Sequence, residues 1–334
     1  MDAASTTDYD VAVIGGGAAG LSASIALARS RRSVIVIDAG EPRNAVAEGV
    51  HNFLTRDGMA PAELLRLGRE EATGYGVDWV DGAADTVLEA NGVFTVVHSG
   101  GAAITARRVL VTTGLRDVLP DVPGLRARWG RDVLHCPFCH GWEVRDRRIG
   151  ILATTPMAAH QALMFRQLSD RVTVVLHSAQ LAPDDAEKLE ARGIEVVEGA
   201  VASLEVVDDR LTGVRLSAGV GPEGAQAVSE PGRLMELDAL VVAPRFEAAD
   251  GVLASLGLRA VEHPAGLGTV VEADAGGQTS IAGVWVAGNV ADPMAQVMPA
   301  AGRGLMVGAA INGDLIAEET AAAVERARGA ATRS

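Results

Sequence analysis

The stretch that most constrains the fold of this 334-residue chain is residues 9–38. Tyr9-Asp10-Val11-Ala12-Val13-Ile14 reads as a buried strand and Gly15-Gly16-Gly17-Ala18-Ala19-Gly20 as a G-x-G-x-x-G turn. Residues 21–29 carry an apolar helical period, and residues 33–37 form a second strand closed by Asp38. Strand, glycine turn, helix, strand and acid in that order make the full context of a dinucleotide-binding fingerprint. Gly15 admits the tight turn, Gly17 lets bare backbone approach a pyrophosphate, and Gly20 lets the helix pack close to the strand. The amides near Ala19 point at the anion, and Asp38 is placed to accept from a ribose hydroxyl. The pattern demands an α/β fold with a parallel sheet between helical layers.

A second βαβ unit starts at residues 149–153, with a helix over 157–168 and a strand over 172–176. Superimposed on the first, its three glycine positions fall on Ala153, Thr155 and Ala158. A β-branched Thr155 stands where bare backbone should meet a pyrophosphate. The second strand ends Leu176-His177-Ser178-Ala179, with no arginine for a 2′-phosphate, so NADP is doubly disfavoured. A drifted loop that still binds a nicotinamide nucleotide remains an alternative reading. From residue 246 the chain reads as completion of the first domain, with Gly288-Asn289 after a strand and a long Ala/Gly-rich helix from Pro299. The expected organisation is therefore two Rossmann-like, three-layer domains, one inserted in the other. Residues 1–118 and 246–334 form the outer domain, and residues 119–245 the insert. Residues 1–8 read as a tail, 40–58 as a polar loop, 120–123 as a linker and 217–232 as a surface turn.

His135-Cys136-Pro137-Phe138-Cys139-His140 holds both cysteines of the chain. A net charge of −14 argues against nucleic acid or an anionic membrane as partner. No apolar run reaches the roughly 18 residues of a membrane span, and the N-terminus lacks a secretory pattern, so a cytoplasmic location is expected. In a reducing compartment a close cysteine pair is catalytic or metal-binding before it is a structural staple. Zinc sites of two cysteines and two histidines use two separated knuckles, and the chain offers one, so no metal is expected. Lowering a thiol pKa from about 8.5 to about 7 raises its thiolate fraction roughly tenfold at neutral pH. His140, more than His135, is the candidate neighbour; a structural role for either imidazole is the alternative.

With the Gly15–Gly20 turn, the Thr112-Thr113-Gly114 turn, the C-x-x-C and Gly288-Asn289 in view, the chain resembles the thioredoxin-reductase-like flavoproteins over nearly its whole length. The resemblance implies FAD as cofactor, a homodimer, and a cysteine pair in the inserted domain, with Cys139 facing the isoalloxazine and Cys136 exchanging with the outside dithiol. It also implies that Arg43 and Asn52 line the FAD cleft and that Gln296 and Val297 meet the flavin at the start of the C-terminal helix. Thioredoxin reductases follow the pair with Asp and keep the second glycine loop and its arginines; here His140, Thr155 and His177 depart from that pattern. The run Cys136-Pro137-Phe138-Cys139-His140-Gly141-Trp142-Glu143 is similar instead to the gliotoxin- and holomycin-type dithiol oxidases. Those enzymes close the disulfide of a small dithiol natural product, in antibiotic biosynthesis and self-resistance, and pass electrons through FAD to molecular oxygen. The alternative implied activity is an NAD(P)H- or ferredoxin-dependent disulfide reductase.

Overall fold

The computed structural model describes residues 8–217 and 232–332, so the expected tail and the surface turn at 217–232 lie, apart from their edges, outside the described residues. Two compact units divide the chain. One comprises Met1–Ala45, Ala60–Arg116 and Phe246–Ser334; the other comprises Val46–Met59 and Asp117–Arg245.

In the first unit, β1 (Tyr9–Ile14), β2 (Val34–Asp38), β3 (Asp78–Asp81), β4 (Ala84–Ala90), β5 (Val93–His98) and β6 (Ala103–Val111) form one sheet in the order β3-β2-β1-β6-β5-β4. The pairings of β3, β2, β1 and β6 are parallel, and Val284–Val286 joins β6 in parallel. β4 and β5 extend it antiparallel. Near-continuous burial of Val11, Ala12, Val13, Val34 and Val36 is what a strand covered on both faces requires. β6 is one nine-residue strand whose partners change along its length: it pairs with β5 at its start and with β1 and Val284–Val286 at its end.

One face of the sheet is covered by α1 (Ala18–Arg29) and the C-terminal helix Val297–Ala331. They meet through small residues: a Cβ on Gly304 would stand 2.0 Å from the Ala19 carbonyl oxygen, and one on Gly308 would stand 2.9 Å from that of Ala23. The helix begins two residues before Pro299, which sits in its first turn, where its missing N–H costs no intrahelical bond. Its later turns are tied to the strands by ions. Arg107 reaches Asp10 and Glu319 at 2.8 and 2.7 Å, Arg108 reaches Asp314 and Glu318 at 2.5 Å each, and Arg32 reaches Glu319 at 2.5 Å. No helix among the described residues is long and apolar enough to cross a membrane.

In the second unit a five-stranded parallel sheet runs in the order Glu195–Glu198, Val172–Leu176, Ile149–Leu152, Ala239–Val242, Val133–Leu134. A three-stranded antiparallel sheet of Val201–Val207, Arg210–Leu216 and Leu234–Glu236 accompanies it. Leu234–Glu236 and Ala239–Val242, close in sequence, belong to different sheets. The loop Val46–Met59 clusters with this unit, although its place in the sequence puts it in the outer domain. Its backbone is closed by Val50–Met59 pairing and its side chains engage residues 138 and 143.

Two stability tests follow from the C-terminal helix. Gly304→Ala forces a Cβ into the Ala19 backbone and is expected to destabilise by about 1–3 kcal/mol, whereas Gly302→Ala, whose Cβ meets nothing within 4 Å, gains up to about 1 kcal/mol of helix propensity. Thermal melts of opposite sign check the pair. Hydrogen bonds from Arg32 and then Arg107 hold the Glu319 carboxyl at about 2, below its ordinary 4.5. A depressed carboxylate contributes above the unfolded value and loses that contribution as pH falls through the folded one. Amide-exchange protection over residues 314–331, taken relative to the intrinsic exchange rate at each pH, should therefore fall as pH falls from about 4.5 toward 2, and added salt should shrink the effect.

Candidate functional site

The fingerprint is built as a cradle. Gly15 takes φ +107°, and its Cβ would lie 2.6 Å from the Thr112 carbonyl oxygen. A Cβ on Gly20 would lie 2.0 Å from the Gly15 carbonyl oxygen, so α1 seats directly on the turn. The Thr112 hydroxyl donates to the carbonyls of Ile14 (3.1 Å) and Gly15 (2.7 Å), tying the end of β6 beneath that turn. Gly17 is the N-cap of α1 with no side-chain cap, and a Cβ there would meet nothing within 4 Å. First-turn amides with no side chain over them are an anion site at the positive end of a helix. Asp38 accepts from the Gly16 amide at 2.9 Å through Oδ1.

The remaining residues named for the cofactor in this unit are placed as follows. Gly114 has φ +74° after β6, and the neighbouring Thr113 hydroxyl donates to the Ala249 carbonyl at 2.7 Å. Gly288 has φ +76° and abuts Ala19, whose Cβ would be 3.0 Å from its own. Asn289 donates through Nδ2 to the carbonyls of Asp292 and Ala295 at 2.9 Å each, so a ribityl hydroxyl would be left to its amide oxygen. Gln296 is the N-cap of the C-terminal helix, again without a side-chain cap, and Val297 is its first residue. The Arg43 guanidinium lies 5.1 Å from the centroid of the Phe246 ring. Two uncapped helix starts, a bare Gly17 and an acid at the end of β2 fit an anionic dinucleotide.

The corresponding turn of the second unit is closed on itself. The Thr155 hydroxyl accepts from the Met157 amide at 3.3 Å, and its carbonyl accepts from the Ala158 amide at 3.2 Å. Buried Ala153 donates to the Val175 carbonyl at 2.9 Å and accepts from the amides of Ser178 and Ala179 at 3.1 Å each. His177, at the end of the next strand, accepts from the Val201 amide through Nδ1 at 2.9 Å, and burial lowers its pKa. A side chain caps the turn where a phosphate would sit, and the position that would carry an arginine is committed to the backbone.

The cysteine turn follows the edge strand Val133–Leu134, which pairs in parallel with Ala239–Val242 and through it with Ile149–Leu152. Cysteine turn and closed loop therefore both lie at the carboxyl end of this sheet, the end at which open α/β sheets bind ligands. Half-buried Cys136 is the N-cap of the one-turn helix Pro137–His140; its carbonyl accepts from the amides of Cys139 and His140 at 3.2 Å each. Phe138 and Trp142, four residues apart, are each 63% exposed, and the Arg145 guanidinium lies 4.1 Å from the centroid of the Trp142 ring. His140 is half-buried, and its Nε2 has no hydrogen-bond partner among the described residues. Burial lowers its pKa; Glu143 and Glu48 pull it back up, and His51 pushes it further down.

The sequence reading gave Asn52 to the cofactor cleft, but the structure gives it another partner. Asn52 belongs to the second unit, and its Nδ2 donates to the Phe138 carbonyl at 2.6 Å, between the two cysteines. Sequence reasoning also passed over His51, whose Nε2 lies 3.5 Å from Glu143 Oε1, and Asp57, which accepts from the Asn52 amide at 3.0 Å. A loop with no period carries no signal for these contacts; Asp57-Gly58 announces only a turn.

Comparison with known proteins agrees with this anatomy. Residues 9–304 match the family model of the pyridine nucleotide-disulphide oxidoreductases. The chain is 30% identical to thioredoxin reductase sirT of Leptosphaeria maculans, over 94% of this chain and 96% of that one. Among solved structures it is similar to HlmI, with a TM-score of 0.86 and 44% identity over 96% and 97% of the two chains. It is also similar to an oxidoreductase from Agrobacterium tumefaciens, with a TM-score of 0.82 and 33% identity over 92% and 98%. Relatives of this fold are FAD-binding flavoproteins, and the cradle of the first unit fits that cofactor. The chain belongs to the pyridine nucleotide-disulphide oxidoreductase family, as an FAD-dependent oxidoreductase of the thioredoxin-reductase-like fold.

Proposed function

We propose that this protein is a dithiol oxidase: it closes an intramolecular disulfide in a small dithiol natural product of the holomycin or gliotoxin kind and delivers the electrons to oxygen, giving hydrogen peroxide. The observation that carries this reading is the closed turn at Thr155, which sits at the same sheet edge as the C-x-x-C turn. A pyridine nucleotide would have to displace the Thr155 cap and find no arginine, while the dithiol chemistry stays intact. The resemblance of the run from Cys136 to Glu143 supports the small-molecule substrate, as do the exposed faces of Phe138 and Trp142 beside it.

The cycle starts from the Cys136–Cys139 disulfide. A substrate thiolate attacks Cys136, forming a mixed disulfide and releasing Cys139 as a thiolate. The second substrate thiolate attacks its partner sulfur in the mixed disulfide; Cys136 leaves, and the product departs as a cyclic disulfide. One S–S bond is consumed and one made, and the two substrate protons and two electrons are transferred out. Bound FAD supplies the two-electron acceptor that restores the cysteine disulfide and a route to oxygen. His140 accepts the proton of the incoming thiol: burial keeps its imidazole neutral at neutral pH, the state a general base needs. We read the working assembly as a cytoplasmic homodimer, with two chains per particle expected in sedimentation.

Cys136→Ser and Cys139→Ser should each abolish peroxide formation while the protein stays yellow; normal turnover by either would end the relay. Under anaerobic conditions a small dithiol should bleach the flavin and NADPH or reduced ferredoxin should not. Rapid bleaching by NADPH or by ferredoxin would transfer the reading to a disulfide reductase. His140→Ala should cost about 10²-fold in thiol attack at and below neutral pH. The deficit should shrink above pH ~8.5, where thiols ionise unaided. Because the His140 pKa is lowered, wild-type activity should persist below the ordinary imidazole range before falling. An unchanged pH profile in the variant would remove His140 from the chemistry.

A further inference from the structure

We propose that the loop Val46–Met59 is a clamp on the redox turn and that Asn52 is a positioning residue fixing the Cys136–Cys139 geometry; this rests on the reading of that pair as the redox centre. A helix of one turn leaves the carbonyls beyond its first residue without intrahelical donors; here Cys136 and Pro137 accept from Cys139, His140 and Gly141. The Phe138 carbonyl, between the two cysteines, is such a group, and Asn52 Nδ2 supplies its donor at 2.6 Å from 86 residues away in the chain. A second grip lies beyond the helix, where His51 Nε2 stands 3.5 Å from Glu143 Oε1. His140 lies between the two grips in sequence.

The loop is shaped for this task at a cost to its own backbone. Asn52 takes φ +58° and Thr55 takes φ +70°. Asparagine tolerates the left-handed region; a β-branched threonine there is an outlier, of the kind that collects at functional sites. The surroundings over-determine the conformation. Asp57 Oδ1 accepts from the Asn52 amide at 3.0 Å while its Oδ2 lies 3.4 Å from His51 Nδ1, and the amides of Val50 and Gly58 donate to the carbonyls of Met59 and Val50 at 2.8 Å each. The result is a preorganised tip that presents one amide to one carbonyl.

The consequence is redox. Closing the pair loses two protons and two electrons and brings the two Cβ atoms to roughly 3.8 Å. A turn held at its central carbonyl keeps that separation when the S–S bond opens, so the clamp favours the closed pair. Releasing it lets the opened turn relax and shifts the equilibrium toward the dithiol.

The test uses the flavin-loaded full-length protein, equilibrated with dithiol/disulfide buffers and read by thiol alkylation and mass spectrometry. Asn52→Gly keeps the left-handed backbone and removes the amide; Asn52→Asp keeps the side-chain volume and removes the donor, and is read if the glycine variant fails to fold. Each should shift the dithiol/disulfide ratio of the pair toward dithiol by three- to tenfold, tenfold being ~30 mV, with flavin content unchanged and the rate of substrate oxidation reduced. Leu54→Ala, at the exposed tip of the same loop, should shift nothing. A shift below threefold in the variant read, or an equal shift in Leu54→Ala, overturns the clamp. If Cys136→Ser is inactive and Asn52→Gly behaves as wild type, only the clamp fails; if Cys136→Ser turns over, the reading beneath it fails as well.

Discussion

Backbone-to-backbone contact, with no side chain between, is the constraint on which the first unit depends. Gly20 lets α1 rest on the Gly15 carbonyl, and Gly304 lets the C-terminal helix rest on Ala19. Any Cβ at those places would meet main-chain atoms that have nowhere to go. Each helix starts without a side-chain cap, and its first-turn amides carry the positive end of the helix. The salt links from Arg32, Arg107 and Arg108 hold the far end of the long helix, where it has left the apolar core behind.

The second unit repeats the parallel architecture. Its first turn is bonded internally, through the Thr155 hydroxyl and through Ser178 and Ala179 on the Ala153 carbonyl. The Thr155 hydroxyl and the Ala153 carbonyl are already engaged there, while the buried Thr154 hydroxyl has no hydrogen-bond partner among the described residues. The same sheet edge instead holds a one-turn helix with a cysteine at its cap and another within it.

The fingerprint was legible because each of its features is local. Tyr9 to Asp38 combines a period of two, a glycine triplet and a helical period, and every piece is read within a few residues. The cysteine pair was legible for the same reason, and so was the damage to the second glycine loop. Strand boundaries were less so. The pairing partners of β6 change along its length, and the exposed half of Ala84–Ala90 carries no apolar alternation, so neither strand has a clean local pattern.

What the sequence determined by itself, then, was the fold class, a dinucleotide site and the placing of both cysteines in one short turn, since all three are written in short-range patterns. What only the tertiary structure decided was the environment of those sulfurs. Asn52 was assigned by resemblance to the cofactor, yet its amide is bonded to the Phe138 carbonyl, and His51 faces Glu143. A hydrogen bond between residues 86 positions apart leaves no period and no composition behind. It exists because a folded loop, bent through left-handed Asn52, Thr55 and Gly58, brings a donor to a carbonyl that a one-turn helix cannot satisfy for itself.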